Sequence, residues 1–197
     1  MIKGIIFDLD GTLVRLPIKY DEVYKKLQNL FDTNDEFKPL IPTIIKKSKN
    51  NPKIIQNAFD LICEEETFAT NNFEIIDDAI DTLNYFKKNN YSVCLVTMQC
   101  FNAAKIILDK MQVSELFSSI VTRDLFYERH IQIKKSIESL SFSTNEILMV
   151  GDRINDVRSA QQVDCPVILF NKDKKNSFTD CPVISELSEL KKFISDF

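Results

Sequence analysis

Glycine is what this chain most lacks. Three of its 197 residues are glycine, where ordinary usage of about 7% would give about fourteen. A dinucleotide-binding loop needs three glycines within six residues, and a P-loop needs a glycine pair five apart followed by lysine. Gly4, Gly11 and Gly151 satisfy neither pattern. Basic charge is also short. Twenty-five Lys and Arg stand against 29 Asp and Glu, a net charge of −4, which argues against a dedicated nucleic-acid or anionic-membrane binder. Long apolar runs are missing too. Asp8 interrupts the pair Ile5-Ile6 too early for a signal-peptide core, and no run approaches the ~18 residues that span a bilayer. The five cysteines, Cys63, Cys94, Cys100, Cys165 and Cys181, form no CxxC pair and are odd in number. They read as reduced, packed thiols of a cytoplasmic protein. What is present is 44% hydrophobic and 27% charged, enough for the core of one large domain or one domain plus a small insertion.

The pattern along the chain has two rhythms. A short strand, 2–7, ends at Asp8. From Tyr20 to Phe31 the apolar residues Tyr20, Val23, Tyr24, Leu27, Leu30 and Phe31 fall at helical spacing. Pro39 and Pro42 break that pattern, and Asn51-Pro52 starts a second helix that runs to about Ala69. Residues 15–77 therefore read as helices without a convincing strand. Beyond them, helices over 78–88, 102–111, 130–140 and 155–162 alternate with strands over 92–96, 119–122, 146–150 and 166–170. A polar loop over 172–180, a minor strand at 183–184 and an amphipathic helix close the chain. Alternating short strands and helices predict an α/β fold, a doubly wound parallel sheet with helices on both faces. Residues 1–14 and 78–197 would form this core, and 15–77 a helical insertion after the first strand.

Ligands of such sheets bind beyond the carboxyl ends of the strands. Asp8 and Asp10 stand after the first strand, Thr97 after the second and Asp152 after the strand ending at Val150. Three carboxylates and a hydroxyl on one edge are not what a core selects. Asp8 and Asp10 are two apart at a strand end, so both side chains lean to one side. A carboxylate can attack phosphorus and split one displacement into two, and a second can act as general acid and base.

The run DLDGTLV, Asp8 to Val14, with VT at Val96-Thr97 and GDRIND at Gly151 to Asp156, resembles the haloacid dehalogenase-like superfamily of hydrolases. The resemblance covers nearly the whole core. It implies a Rossmann-like fold with a helical cap, Mg²⁺, and phosphoryl transfer through an aspartyl-phosphate. By that resemblance Asp8 is the nucleophile, Asp10 the acid–base, and Thr97 a phosphate donor. Asp8, Asp10 through its carbonyl, and Asp152 are the metal ligands, with Asp156 orienting a metal-bound water or the loop. Gly11 and the amide region of Met98 lie at the phosphate, and Arg15 is a candidate substrate contact beside Lys19 and Tyr20. The expected partner is a small phosphorylated metabolite, with the protein a monomer or weak homodimer. A sugar-phosphate mutase or a weakly active binding relative remains an alternative.

The chain departs from the family pattern at the third motif, usually Lys before Pro. Counting back from Gly151-Asp152 leads to Tyr127, which is not basic. Arg129 is the nearest cation that could reach the site, with Lys134 as the second candidate. His130 reads as a surface residue. Lys46, Lys47, Lys49 and Lys53 form a basic cluster in the insertion, read first as a solvated helix face. Ser141 and Asp164 stand near helix ends where relatives often carry glycine.

Overall fold

A computed structural model of the chain describes residues 1–172 and 181–195. The polar loop expected over 172–180 lies, apart from Lys172, outside them. In chain order the elements are β1 (Gly4–Phe7), β2 (Val14–Arg15), α1 (Tyr20–Leu30), α2 (Leu40–Lys47), α3 (Pro52–Ala69), β3 (Glu74–Ile75), α4 (Ala79–Lys88), β4 (Ser92–Val96) and α5 (Phe101–Met111). Then follow β5 (Phe117–Val121), α6 (Arg129–Leu140), β6 (Ile147–Gly151), α7 (Ile154–Gln161), β7 (Val167–Phe170), β8 (Val183–Ile184) and α8 (Leu190–Ser195). Two compact units result, one of residues 1–15 with 74–197 and one of residues 16–73.

The larger unit is built on a sheet in the order β5-β4-β1-β6-β7-β8. Every neighbouring pair in it is parallel. This is the α/β architecture that the alternation predicts. Parallel strands covered on both faces read as continuous apolar runs. Ile5, Ile6 and Phe7 are accordingly all fully buried, as are Val93, Cys94, Leu95 and Val96. Side chains alternate between the faces. Ile6, Cys94, Val96, Ile147 and Met149 join Ile133 and Ile137 of α6 and Val157 and Ala160 of α7 in one core. Order reverses at β1, with β4 on one side and β6 on the other, so the crevice beyond the carboxyl ends of these three strands is the topological switch point. Gly4 lets β1 sit close to β6, since a Cβ there would fall 2.7 Å from Ile147 Cδ1. Cys94 and Cys165 are buried thiols, and burial pushes both up to about 12. The all-thiol reading stands for these and Cys181 and not for Cys63 and Cys100.

A two-stranded antiparallel ladder pairs Val14 with Ile75 and Arg15 with Glu74. This corrects the expectation that 15–77 holds no strand. Each strand is two residues long, too short for any periodicity to show.

The smaller unit packs α1, α2 and α3 around Val23, Leu27, Phe37, Ile44, Ala58, Phe59 and Ile62. The Asn51 side chain caps α3 by accepting from the Lys53 and Ile54 N–H groups, with Pro52 in the first turn. Pro42 does not break the chain as expected, because it sits in the first turn of α2, where a missing N–H leaves no helical bond unmade. Lys47 of the basic cluster pairs with Asp35 and lies 5.7 Å above the Phe37 ring. Among the described residues, no helix is long and apolar enough to cross a membrane.

Candidate active site

The turn after β1 sets the first carboxylates. Asp8 continues the ladder, donating its N–H to Val150 O at 2.9 Å. Its side chain is buried, with 3% of the residue exposed. The Leu9 carbonyl then accepts from Thr12 N, Leu13 N and Val14 N, and Gly11 N donates to Val14 O. Closing this tight turn takes Gly11 to φ 97°, a region that L residues rarely adopt. A Cβ at Gly11 would also land on the Asp152 carboxylate. Asp152 follows β6. Its neighbour Gly151 is constrained by space alone, since a Cβ there would lie 2.5 Å from Asp156 Oδ2. Asp156, one turn into α7, accepts from the Arg153 N–H at 3.1 Å through that same Oδ2.

Asp8, Asp152 and Asp156 each offer a carboxylate oxygen within 4.8 Å of the other two. Three like charges this close repel, and burial removes the water that would screen them. Burial pushes Asp152 up to about 7, with the Asp8 charge adding to the rise and Arg153 opposing it. Burial likewise raises Asp156, against the pull of Arg129. Asp152 Oδ1 is buried without a hydrogen-bond partner. An orphaned carboxylate oxygen among clustered carboxylates is the donor set that a hard divalent cation such as Mg²⁺ accepts, so the residues fit that ion. The Asp10 side chain is not one of the three. It stands 3.7 Å from Arg153 Nη2, and Asp10 is bridged to Val14 along the backbone.

Arg129 supplies the buried cation. It is the first residue of α6 and 7% exposed. Its Nη2 donates to Asp8 Oδ1 at 2.7 Å, and its Nε lies 3.0 Å from Asp156 Oδ1. Burial works against its charge, but Asp8 and Asp156 outweigh that and hold its pKa above the ordinary guanidinium value. The structure does not bring Lys134 to this place. It lies five residues on, about 140° around the helix, and is exposed. Of the two candidates for the buried cation, Arg129 is therefore the one that meets the carboxylates. His130 is half-buried beside Arg129.

Thr97 is 1% exposed just past β4. Its N–H donates to Val121 O at 2.9 Å and its hydroxyl accepts from Gln99 N at 3.1 Å. It does not cap α5, whose N-cap is Cys100. The Met98 carbonyl accepts from Arg123 Nη1 at 2.6 Å, which ties the loop after β4 to the loop after β5. Arg15 is exposed on β2 opposite Glu74, and no contact carries it to the carboxylates.

Two residues escape a reading of the sequence. Gln132, fully buried on α6, accepts from Arg129 Nη1 at 3.2 Å and donates to Thr97 O and Phe126 O at 2.9 and 2.7 Å. Its signal was a polar residue beside Ile133 on the face that Ile137 continues. Arg153 lies inside the run GDRIND yet had no role. Its guanidinium stands within 4.0 Å of Asp152 Oδ2 as well as near Asp10, with the side chain 59% exposed.

The profile of the haloacid dehalogenase-like hydrolase family matches residues 5–170. The chain belongs to this family. Among curated relatives, the pyrophosphatase PpaX of Oceanobacillus iheyensis is 26% identical over 176 residues, covering 83% of this chain and 80% of that protein. Among solved structures, a HAD phosphatase from Thermococcus onnurineus superposes with a TM-score of 0.71 at 21% identity, covering 98% of both chains. A predicted phosphatase from Clostridium acetobutylicum gives 0.73 at 20% identity over the full length of both. These structures share the fold of this haloacid dehalogenase-like hydrolase.

Proposed function

We propose that the chain is a Mg²⁺-dependent phosphatase of a small phosphorylated metabolite, working through an aspartyl-phosphate on Asp8. One observation carries the reading. The buried Asp8 carboxylate stands at a strand end between a buried cation, Arg129, and a carboxylate group spaced for a divalent ion.

Asp8 Oδ attacks phosphorus, and the bond from phosphorus to the leaving oxygen breaks. Asp10 gives that oxygen a proton and so becomes a base. It then takes a proton from water, whose oxygen attacks phosphorus and breaks the bond to Asp8, releasing phosphate. Arg129 holds Asp8 in place and offsets charge on the phosphoryl oxygens, its planar guanidinium fork being suited to carboxylate and phosphate oxygens. Thr97 uses its hydroxyl oxygen on the Gln99 amide, which leaves its proton for a phosphoryl oxygen. Asp8, Asp152 and the Asp10 carbonyl would hold Mg²⁺, with Asp156 supporting them. When bound, the ion neutralises the carboxylates and the phosphate against each other. Gly11 and the backbone at Met98 lie at the phosphate end in this reading, and the helical unit serves as the cap. We take the protein to be a monomer or weak homodimer.

The test is a panel of phosphate esters with purified protein, with and without Mg²⁺. Pyrophosphate heads the panel because the relative from Oceanobacillus iheyensis is named for it. Metal-dependent phosphate release that Asp8→Asn abolishes supports the reading. No release from any member overturns it, and a sugar phosphate returned as its isomer would favour a mutase.

A further inference from the structure

Resting on the phosphatase reading, we propose that Gln132 is a positioning residue, fixing Arg129 on Asp8 and locking Thr97 so that both meet one phosphoryl group. Gln132 has no exposed surface, and every polar group of its carboxamide is used. The oxygen accepts from Arg129 Nη1, while the nitrogen donates to the carbonyls of Thr97 and Phe126. An amide is the one neutral side chain that offers an acceptor and two donors at this length.

Arg129 faces two carboxylates, Asp8 Oδ1 at 2.7 Å and Asp156 Oδ1 at 3.0 Å. Two anions alone allow a planar guanidinium to slide from one toward the other. The bond from Nη1 to Gln132 pins the third corner, and the helix spacing of three residues sets its direction. The Thr97 peptide is held from both sides, its N–H by Val121 and its carbonyl by Gln132. One side chain thus couples the loop after β4, the loop after β5 and the start of α6, with no polar group left over for phosphate or metal. Removing it takes a partner from the buried Thr97 carbonyl, the part-buried Phe126 carbonyl and a guanidinium N–H.

The experiment compares wild type with Gln132→Met, measuring thermal stability, kcat and KM for 4-nitrophenyl phosphate, and inhibition by orthovanadate and by inorganic phosphate. Positioning for the transition state predicts a kcat loss of roughly 10–100-fold, the range for outer-shell partners. KM should change little, and vanadate inhibition should weaken far more than phosphate inhibition, because only vanadate imitates the transition state. A lower melting temperature with kcat per folded molecule and the two inhibition constants unchanged overturns the proposal. If Gln132→Met does not fold, Gln132→Glu carries the same test. It keeps the acceptor toward Arg129 but has no N–H for Thr97 and Phe126, so the same loss is expected. Should wild type hydrolyse nothing, the phosphatase reading fails, and Gln132 is then judged by NMR of the metal-free protein. Slow exchange of its carboxamide protons, with an Arg129 Nε signal that broadens in the variant, supports the coupling. Fast exchange and an unmoved Arg129 signal reject it.

Discussion

Along the amino edge of the sheet, α4, α5, α6 and α7 each hand over to the next strand near a left-handed residue, and none of these is glycine. They are Asn90 at φ 64°, Gln112 at 58°, Ser141 at 56° and Asp164 at 53°. Along the carboxyl edge glycine is kept, at Gly11 and Gly151. Left-handed backbone costs an L residue roughly 1–2 kcal/mol, less for Asn and Asp, and the amino edge bears it repeatedly. Gly151 is not left-handed at all; it is kept because Asp156 fills the space where a Cβ would be. At the carboxyl edge glycine therefore marks room beside a carboxylate, joined at Gly11 by a left-handed turn. Each of the three glycines that the composition contains stands where a Cβ would fall within 3 Å of a neighbouring side chain.

The severest challenge to that contrast is Gly11→Ala, which meets both constraints. It displaces Asp152 and strains the turn, so metal-dependent kcat/KM on an aryl phosphate is expected to fall by at least ~100-fold, the cost of misplacing a reacting group by about an ångström. Gly151→Ala meets only the spatial constraint. It is expected to fold, with Mg²⁺ affinity by calorimetry weakened roughly 10–100-fold through Asp156; unchanged affinity would break the argument from space.

The packed carboxylates also predict a pH effect that the amino edge cannot produce. Asp152 is raised to about 7 when folded against about 3.9 unfolded. Its contribution favours the metal-free fold below about pH 4 and is lost as pH rises toward 7. The metal-free melting temperature should therefore carry a component that falls over that window. Mg²⁺ should release more protons on binding at pH 6 than at pH 8.5, measured by calorimetry in buffers of different ionisation enthalpy. The smallest effect belongs to the other edge. Ser141→Gly and Gln112→Gly should each raise stability by about 0.5–1 kcal/mol, strain relief less the entropy that glycine adds to the unfolded chain. Denaturant unfolding measures this, and kcat should not move.

The sheet was legible because strands buried on both faces are apolar throughout, and β1, β4, β6 and β7 are such runs. The carboxylates were legible because Asp8, Asp10 and Asp152 stand where those runs end. Arg129 could be narrowed by its nearness to the expected position, and helical phase then separates it from Lys134. The ladder of Val14–Arg15 with Glu74–Ile75 was not legible, as two residues carry no period. Gln132 was hidden for another reason. An amide has no charge to draw attention, and its role exists only once Arg129, Thr97 and Phe126 surround it.

The claim that Asp8 is the nucleophile of a phosphatase is tested most directly by acid-quenching the protein during turnover of an aryl phosphate with Mg²⁺ and mapping the modified peptide by mass spectrometry. One phosphoryl group is expected on Asp8 in wild type and none in Asp8→Asn. A phosphoryl group on another residue, or full turnover by Asp8→Asn, would contradict it.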